Sequence, residues 1–290
     1  MNRRQFIASS LAVGSSPLTS VAKTHSAPLL SGLGFFDQIT GGLAPGDVVQ
    51  ILAHPPMRSS DLALQIAWNI SERDAVTYIA PDGDLLHRLP FDTRTDRVKR
   101  ILLSSARVDH GRFDWGYLTR AERTRLQRAM DALSKKRLSI IGSAELPAGD
   151  LKAISAVAER ATREEGMKLL VVDDLSEIEP LPRWPERKTR GEYESYGRFF
   201  RSLAERLGTA VLLCNALPYL RAEEREQVDA AAFGVPAEFC SALAIVHPPR
   251  ESNPYRGDGV EKVTIQSVKH GATLTDAVLV GWRESHRYFI

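Results

Sequence analysis

The stretch from residue 48 to residue 70 constrains the fold of this chain more than any other. An apolar run from Val48 to Ala53 leads into a short loop at 54–60, and a helical pattern follows from Leu62. A buried strand, a tight loop and a helix N-terminus in this order direct main-chain N–H groups at one point, which is the geometry that binds a phosphate. The sequence therefore predicts an α/β fold built around this strand, loop and helix.

The loop keeps this frame but lacks most of the residues that bind a nucleotide. A P-loop reads G-x-x-x-x-G-K-[ST], in which the glycines let the N–H groups wrap the phosphates and the lysine reaches the β- and γ-phosphates. Here Arg58 stands at the second glycine, Ser59 at the lysine and Ser60 at the Ser/Thr position. Ser60 is also a favourable helix N-cap, whatever else it binds. The candidate nucleotide-binding residues are Pro55, Met57, Arg58, Ser59 and Ser60.

Composition is that of an ordinary globular protein. The chain has 290 residues, 43% hydrophobic and 26% charged, with a net charge of +2. The small net charge gives no argument for nucleic-acid binding by the chain as a whole. Two cysteines provide neither a disulfide framework nor a zinc site, and the apolar runs at Cys214 and Cys240 predict two buried thiols. One large domain is the simplest interpretation.

Residues 1–22 differ from the rest and are predicted to be an export signal. Asn2 to Ile7, with Arg3 and Arg4, resembles the twin-arginine (Tat) motif; an apolar stretch follows, and Ser20-Val21-Ala22 carries small residues where a signal peptidase reads. Cleavage after Ala22 would leave 36 basic and 36 acidic residues. We expect the protein to be exported to the periplasm. The alternative is a cytoplasmic protein in which residues 1–22 are a tail. No run is long enough to span a membrane.

The remaining chain reads as a linker at 23–30 and one domain at 31–290. Apolar, β-rich runs predict strands near 48–53, 75–80, 138–141, 168–174, 210–215, 243–246 and 260–267, with a last element at 274–282. Helical patterns lie near 62–71, 151–165, capped by Gly166, and 193–208. Alternation of this kind predicts a mainly parallel sheet with helices on both faces.

The region from His87 to Arg137 is predicted to be helical and basic. It holds 14 Lys and Arg against 6 Asp and Glu, a net charge of +8. A solvated helical face is one interpretation; the other is a patch for DNA, single-stranded or duplex, with Arg123, Arg125 and Arg128 as candidate contacts. Four aromatic residues in the region, Phe91, Phe113, Trp115 and Tyr117, give base stacking little support.

The order of these motifs resembles one family, the RecA-like ATPase domain of the DnaB-type replicative helicases. The resemblance covers roughly residues 31–289, and its strongest part is the lead-in from Gly32 through Asp37 to Thr40-Gly41-Gly42-Leu43-Ala44-Pro45-Gly46-Asp47. Arg107-Val108-Asp109 also resembles the family. KaiC- and RadA-like ATPases share the fold and part of the lead-in. The resemblance implies a RecA-like P-loop NTPase fold.

Carried over residue by residue, the family's site is degenerate. The Walker A Gly-Lys-Thr falls on Arg58-Ser59-Ser60, so the lysine is lost, although Ser60 retains a hydroxyl for Mg²⁺. The resemblance places the water-activating carboxylate at Asp82, the Walker B aspartate at Asp173 and the arginine finger at Lys269, which lacks the planar fork of arginine. The γ-phosphate-sensing glutamine falls near Ala216 and is absent. Asp174 is an extra carboxylate.

Two functions follow from these residues. The first is a pseudo-ATPase, a helicase-like fold kept as a binding or assembly module, for which no cofactor is expected. The second is an active DNA-dependent ATPase or helicase with a divergent loop, which would use Mg-ATP through Ser60 and Asp173. A homo-oligomeric ring is implied only by analogy with the helicases. The losses at Ser59, Ala216 and Lys269 favour the first function, since phosphoryl transfer depends on positioning and charge stabilisation.

Overall fold

The computed structural model describes residues 27–53, 59–81, 93–142, 144–146, 150–178, 188–217, 234–247, 258–269, 272–283 and 288–289. Side chains are described throughout these ranges except at Thr93 and from 258 to 288. The predictions for the signal at 1–22, Pro55, Met57, Arg58 and Asp82 lie outside the described residues. Lys269 ends a described strand, but its side chain is outside the description.

Helices and strands alternate along the chain as the sequence patterns predict. The helices are α1 (Gly34–Thr40), α2 (Ser59–Ile70), α3 (Thr93–Ala106), α4 (His110–Asp114), α5 (Arg120–Leu133), α6 (Leu151–Glu165) and α7 (Arg190–Leu207). The strands are β1 (Val48–Ala53), β2 (Ala75–Ile79), β3 (Leu138–Ile141), β4 (Met167–Val172), β5 (Ala210–Ala216), β6 (Ala242–His247), β7 (Asp258–Lys269), β8 (Ala272–Arg283) and β9 (Tyr288–Phe289). None of the described helices is long and apolar enough to cross a membrane.

The strands form one sheet with β1 near its middle. Their order is β3-β2-β4-β5-β1-β6-β7-β8-β9. The first six strands in this order are parallel, and β7, β8 and β9 continue the sheet in antiparallel fashion. The prediction of a mainly parallel sheet is confirmed for the six strands. The sequence did not show that the C-terminal strands reverse direction, nor that β9 follows the element at 274–282.

Alternate residues of the central strands feed two separate hydrophobic cores. In β5, Ala210 and Leu212 pack into the core that contains α1 and α2, whereas Val211 and Leu213 pack into the core that contains α6 and α7. Successive side chains of a strand point to opposite faces of the sheet, so a strand covered on both sides must be apolar throughout. The continuous apolar runs in the sequence therefore predicted a sheet with helices on both faces, and this prediction is confirmed.

Local capping sets the ends of the longer helices. Thr189 and Glu192 form a reciprocal capping box, so α7 begins at Arg190, three residues before the predicted start at Tyr193. Thr119 and Glu122 form the same box at α5, and these hydrogen bonds from the threonine hold the pKa of Glu122 below its ordinary value. Gly166 ends α6 in a left-handed conformation with φ of 69°, as the sequence predicts.

The N-terminal lead-in is tied to the domain by main-chain hydrogen bonds. Leu29, which the sequence places in the linker at 23–30, exchanges two N–H···O bonds of 2.8 Å with Leu43. The carboxylate of Asp37 accepts the N–H groups of Ser31 and Gly32 at 2.8 and 3.2 Å. The shared lead-in motif is thus a compact turn whose polar groups bond to one another.

Gln65 of α2 forms two hydrogen bonds with the backbone of β9. Gln65 donates from Nε2 to the carbonyl of Phe289 at 2.9 Å and accepts the N–H of Phe289 on Oε1 at 3.0 Å. Both residues are buried, and the Phe289 side chain is 1% exposed within the core beside α2. The amide therefore satisfies two buried main-chain groups at the end of the sheet.

Replacing Gln65 with alanine is expected to destabilise the protein by roughly 2–4 kcal/mol, because two buried backbone groups lose their partners. The measurement is urea unfolding of the two proteins. Gln127→Ala is the control, since Gln127 is exposed on α5 and bonds only to Asp131, and should change stability by less than about 0.5 kcal/mol. Equal effects at the two positions would contradict the fastening role.

Candidate functional site

Ser60 and Asp173 meet at the carboxyl end of the parallel strands. Ser60 lies in the first turn of α2, which follows β1, and Asp173 comes directly after β4. The Ser60 hydroxyl donates to Oδ1 of Asp173 at 3.0 Å, and both side chains are buried. Open α/β sheets bind their ligands at this edge. The structure thus brings together the two residues to which the resemblance assigned a metal.

The second carboxylate oxygen of Asp173 is held by two groups that the sequence did not predict. The Tyr78 hydroxyl, from β2, donates to Oδ2 at 2.6 Å. Nε of Arg97, from the first turns of α3, donates to the same oxygen at 2.7 Å. Asp173 is 1% exposed and Arg97 is 14% exposed, so this is a largely buried ion pair. Both oxygens of the carboxylate are therefore bonded within the chain.

These contacts fix the ionisation of the group. Burial by itself raises the pKa of Asp173, but the Arg97 charge and the hydrogen bonds from Tyr78 and Ser60 outweigh it and hold the pKa below its ordinary value. Burial, and then the negative charge of Asp173, raises the pKa of Tyr78 well above its ordinary value. Asp173 is thus a carboxylate and Tyr78 a neutral donor across the physiological pH range.

A second buried ion pair continues the network between α2 and α3. The guanidinium of Arg100 pairs with the carboxylate of Asp61, and the two residues are 3% and 5% exposed. Asp96 lies between the pairs: its Oδ2 is 2.7 Å from Nη1 of Arg97 and 3.6 Å from Nη1 of Arg100. A cleft of about 130 Å³ opens beside Asp61 and Arg100, lined further by Gln65, Trp68 and Ser104, and Asp173 does not line it.

The carboxyl end of β5, at the same edge of the sheet, carries no charged group. Asn215 of β5 donates from Nδ2 to the Tyr193 hydroxyl at 2.8 Å, and its Oδ1 accepts the N–H of Ala216 at 3.0 Å. Ala216, at the position the resemblance gives to the γ-phosphate sensor, is exposed and has no polar side chain. Among the described residues no cluster of three or more His, Cys, Asp or Glu side chains is arranged to hold a metal ion.

Most of the basic residues predicted as a patch are engaged within the chain. Arg125 donates to the carbonyls of Ala106 and Arg107 at the end of α3, at 2.8 and 3.1 Å, and Arg123 donates to Leu118 at 2.8 Å. Arg128 is exposed on α5. The other engaged cations and their acidic partners are Arg94 with Glu145, Lys99 with Asp114, Arg112 with Glu122 and Lys136 with Glu72. The formal charge of +8 therefore overstates the charge that is free at the surface.

Comparison with known proteins identifies the family. The model of the DnaB-like helicase C-terminal domain matches residues 29–228. The chain belongs to this family. It is 23% identical over 187 residues to the replicative DNA helicase DnaB of Geobacillus stearothermophilus, and 28% identical over 179 residues to that of Buchnera aphidicola subsp. Baizongia pistaciae. These matches cover 64% and 61% of this chain but only 39% and 36% of the relatives, so the chain spans well under half of their length.

Solved structures of an ATPase domain and of a helicase share the fold. The ATPase domain superposes with a TM-score of 0.71 at 17% identity, covering 93% of each chain. A DnaB-like replicative helicase, solved in a study of its interactions with primase, gives 0.70 at 18% identity over 91% of this chain and 61% of that one. The RadB recombinase is more distant, with a TM-score of 0.54. This DnaB-like domain has the RecA-like α/β fold that the sequence predicts.

Sequence reasoning found Ser60 and Asp173 but missed Tyr78 and Arg97. Tyr78 is the one tyrosine in β2, a short strand whose other residues are small or apolar. A tyrosine in a buried strand is a weak signal that its hydroxyl has a buried polar partner. Arg97 and Arg100 are three residues apart and so share a helix face, but nothing in the sequence indicates that this face is turned inward. The contact with Asp173 spans 76 residues of sequence and appears only in the fold.

Asp174, next to this network, should make stability depend on pH. Its carboxylate caps the short helical turn at Leu175–Glu177 by accepting the N–H of Ser176 at 2.8 Å. Burial, and then the charge of Asp173, raises the pKa of Asp174 to about 7. Because the folded pKa exceeds the unfolded one, the unfolded chain ionises first, and this group lowers stability progressively from about pH 4 to pH 7.

Asp174→Asn is expected to remove that dependence. The amide keeps an acceptor for Ser176 and carries no charge, so the variant should be more stable than the native protein at pH 8, by roughly 2–4 kcal/mol, and nearly equal to it at pH 4. Urea unfolding across this range measures the difference. Asp150→Asn is the matched control, because Asp150 caps α6 in the same manner but is exposed. A constant difference between native and variant at all pH values would refute the assignment.

Proposed function

We propose that this DnaB-like domain does not hydrolyse ATP and acts as a binding or assembly module. The observation that carries the proposal is the ion pair between Arg97 and Asp173. Nε of Arg97 lies 2.7 Å from Oδ2 of Asp173, the oxygen that also accepts the Tyr78 hydroxyl. A Mg²⁺ ion needs oxygen ligands with free lone pairs and a net negative site. Here the single charge of the carboxylate is neutralised by a fixed cation within the chain.

The residues present do not fit Mg-ATP as they are arranged. A divalent ion on Asp173 would lie within a few ångströms of the Arg97 charge, and repulsion between them is strong in a buried site. Moving Arg97 away would leave its own charge to be rehydrated or paired elsewhere. The resemblance adds that Ser59 replaces the lysine that contacts the phosphates and that Ala216 replaces the γ-phosphate sensor. We therefore derive no catalytic step through a nucleotide.

The second function, an ATPase with a divergent loop, is supported by one contact. The hydrogen bond of 3.0 Å between Ser60 and Asp173 is what an intact metal site would also contain in the absence of its ion. In that case Arg97 would have to withdraw when Mg-ATP binds. The two functions differ in whether Asp173 is a metal ligand or a structural anion, and that difference is measurable.

Nucleotide binding and turnover distinguish these functions. The native protein is expected to show no ATP turnover with Mg²⁺, with or without single-stranded DNA, and no tight binding of a fluorescent ATP analogue. Magnesium-dependent binding at low micromolar concentration, about −8 kcal/mol, or turnover that Asp173→Asn abolishes, would overturn the proposal. The variant Arg58→Gly with Ser59→Lys and Arg97→Leu should bind the analogue more tightly than the native protein does.

A thermal measurement isolates the role of Arg97. In Arg97→Leu the Asp173 carboxylate is released from its cation, so added Mg²⁺ should raise the melting temperature of this variant but not of the native protein. Arg94→Leu is the matched control, since Arg94 lies on the same helix and pairs with exposed Glu145. An equal response of all three proteins to Mg²⁺ would show that Arg97 does not occupy the cation position.

The partners we propose follow from the relatives' names and from surface charge. The relatives are replicative DNA helicases, and one structural neighbour was studied with primase. We propose that this domain likewise associates with DNA or with copies of itself, in a ring by analogy. The free cations of α5 are the support in this chain for a nucleic-acid partner.

We also propose that residues 1–22 direct the protein to the periplasm through the twin-arginine route. That compartment has no ATP supply, so a site without its lysine and glutamine would lose nothing there. N-terminal sequencing of periplasmic protein is expected to begin at Lys23, and Arg3→Lys with Arg4→Lys should abolish export. Full-length protein confined to the cytoplasm would refute the export proposal and leave the pseudo-ATPase proposal to the nucleotide tests.

A further inference from the structure

Two aromatic rings stand in solvent on one tight turn between α4 and α5. Trp115 and Tyr117 are 77% and 72% exposed, and Gly116 between them has a φ of 74°, which the turn requires. The described residues include few other large exposed hydrophobic side chains, Leu30 and Met130. We call residues 115–117 the aromatic turn.

The aromatic turn is held rigidly from below. Phe113 and Leu118, on either side of it, pack against the small core formed by Leu103, Ala106, Val108 and Ala129. The N–H groups of Trp115, Gly116 and Tyr117 bond to the carbonyls of Gly111, Phe113 and Arg112 at 3.0, 3.0 and 2.8 Å. The backbone is therefore fixed while most of both side chains stays in solvent, which is the arrangement of a preformed contact surface.

Guanidinium groups flank the aromatic turn at short distances. Arg112 donates from Nε and Nη2 to the carbonyl of Tyr117 at 3.3 and 3.1 Å, and Nη2 of Arg123 donates to the carbonyl of Leu118 at 2.8 Å. An arginine has five N–H donors, so each retains donors for an outside acceptor. These contacts place two guanidinium groups against the backbone at residues 117 and 118, and the one of Arg112 is also paired with Glu122.

The charge balance around the aromatic turn favours an anionic partner. Two nearby acids are paired with cations, Asp114 with Lys99 and Glu122 with Arg112, whereas Asp109 caps α4 by accepting the N–H of Arg112. Arg120 and Arg123 are exposed, and within the described part of the chain neither lies within salt-bridge distance of a carboxylate. Rigid exposed aromatic rings beside uncompensated guanidinium groups are the two elements of a surface that stacks bases and contacts phosphates.

We infer that the aromatic turn binds single-stranded nucleic acid, with bases stacked on Trp115 and Tyr117 and phosphates bound by Arg120 and Arg123. A single strand is required because the faces of paired bases are covered within a duplex. The inference rests on the proposed binding role and names its partner and its surface. It needs no nucleotide at Asp173, so it is independent of whether the domain hydrolyses ATP.

Fluorescence anisotropy with a labelled oligothymidine tests the stacking component. The full-length native protein is expected to bind at low salt. Trp115→Ala should weaken binding about tenfold to a hundredfold, because stacking on one ring contributes that much, while Trp115→Phe should stay near the native affinity. Trp115→Leu, which keeps apolar bulk without a π-face, should resemble the alanine variant. Met130→Ala is the matched control, being 49% exposed on α5 away from the turn, and should bind as the native protein does.

The salt dependence separates stacking from charge. Arg120→Gln and Arg123→Gln should each lower the slope of log affinity against log salt by about 0.7, whereas Trp115→Ala should leave the slope unchanged. Circular dichroism melting of each variant verifies that it is folded. The oligothymidine should also quench native tryptophan fluorescence more than that of Trp115→Phe.

Two results would overturn the inference. Native affinity in Trp115→Ala would show that no base stacks at the aromatic turn, and absence of binding by the native protein at low salt, or preference for duplex, would exclude single-stranded nucleic acid as the partner. ATP turnover measured on the same preparations judges the proposed function separately. Binding that survives Trp115→Ala, without turnover, would leave a pseudo-ATPase module that contacts DNA elsewhere.

Discussion

A buried carboxylate must be compensated, and the compensation of Asp173 ties together the elements around it. Ser60 brings α2 to the carboxylate, Tyr78 brings β2 and Arg97 brings α3. Leaving the Asp173 charge unpaired in this buried position would cost several kcal/mol. Removing any of the three donors is therefore unfavourable. In a P-loop site that binds Mg-ATP, the metal ion takes part in this compensation. In this chain the guanidinium of Arg97 supplies a cation to Asp173, and this ion pair joins the sheet to α3.

Buried ion pairs at and beside Asp173 reduce the positive charge on the surface of the basic region. Arg97 and Arg100 turn inward to Asp173 and Asp61, and other cations of the region are paired with acids or donate to helix-end carbonyls. Arginine suits this use, because its guanidinium makes several directed hydrogen bonds and is less strongly hydrated than an ammonium group. A count of charges along the sequence sums the buried and exposed cations together. Among the described residues, Arg120, Arg123 and Arg128 of α5 have no carboxylate within salt-bridge distance, although Arg123 donates to the carbonyl of Leu118, and the first two are close in sequence to the aromatic turn.

The parts of the fold that the sequence predicted are those with local causes. Apolar runs predicted the parallel strands and Gly166 predicted the end of α6, whereas Ser60 and Asp173 were assigned to one site by the family resemblance. Contacts between distant residues left no local trace, so neither Tyr78 nor Arg97 was predicted as a partner of Asp173. The direction of β7 and β8 was missed for a related reason: an alternating strand pattern is the same in either direction, and only the short connection between 269 and 272 favours an antiparallel hairpin.

The fold and the candidate nucleotide site depend on different residues. Strand burial on both faces involves Ala210, Val211, Leu212 and Leu213, whose side chains belong to the two cores. Ser59 and Ala216, which the resemblance aligns with nucleotide-binding positions, are members of neither core. Asp173 is the exception, since the resemblance assigns it to the nucleotide site and the structure also holds it by contacts within the chain. Because Tyr78 and Arg97 bond to it, a contribution to stability accounts for this aspartate, and its presence in the sequence is not by itself a sign of catalysis.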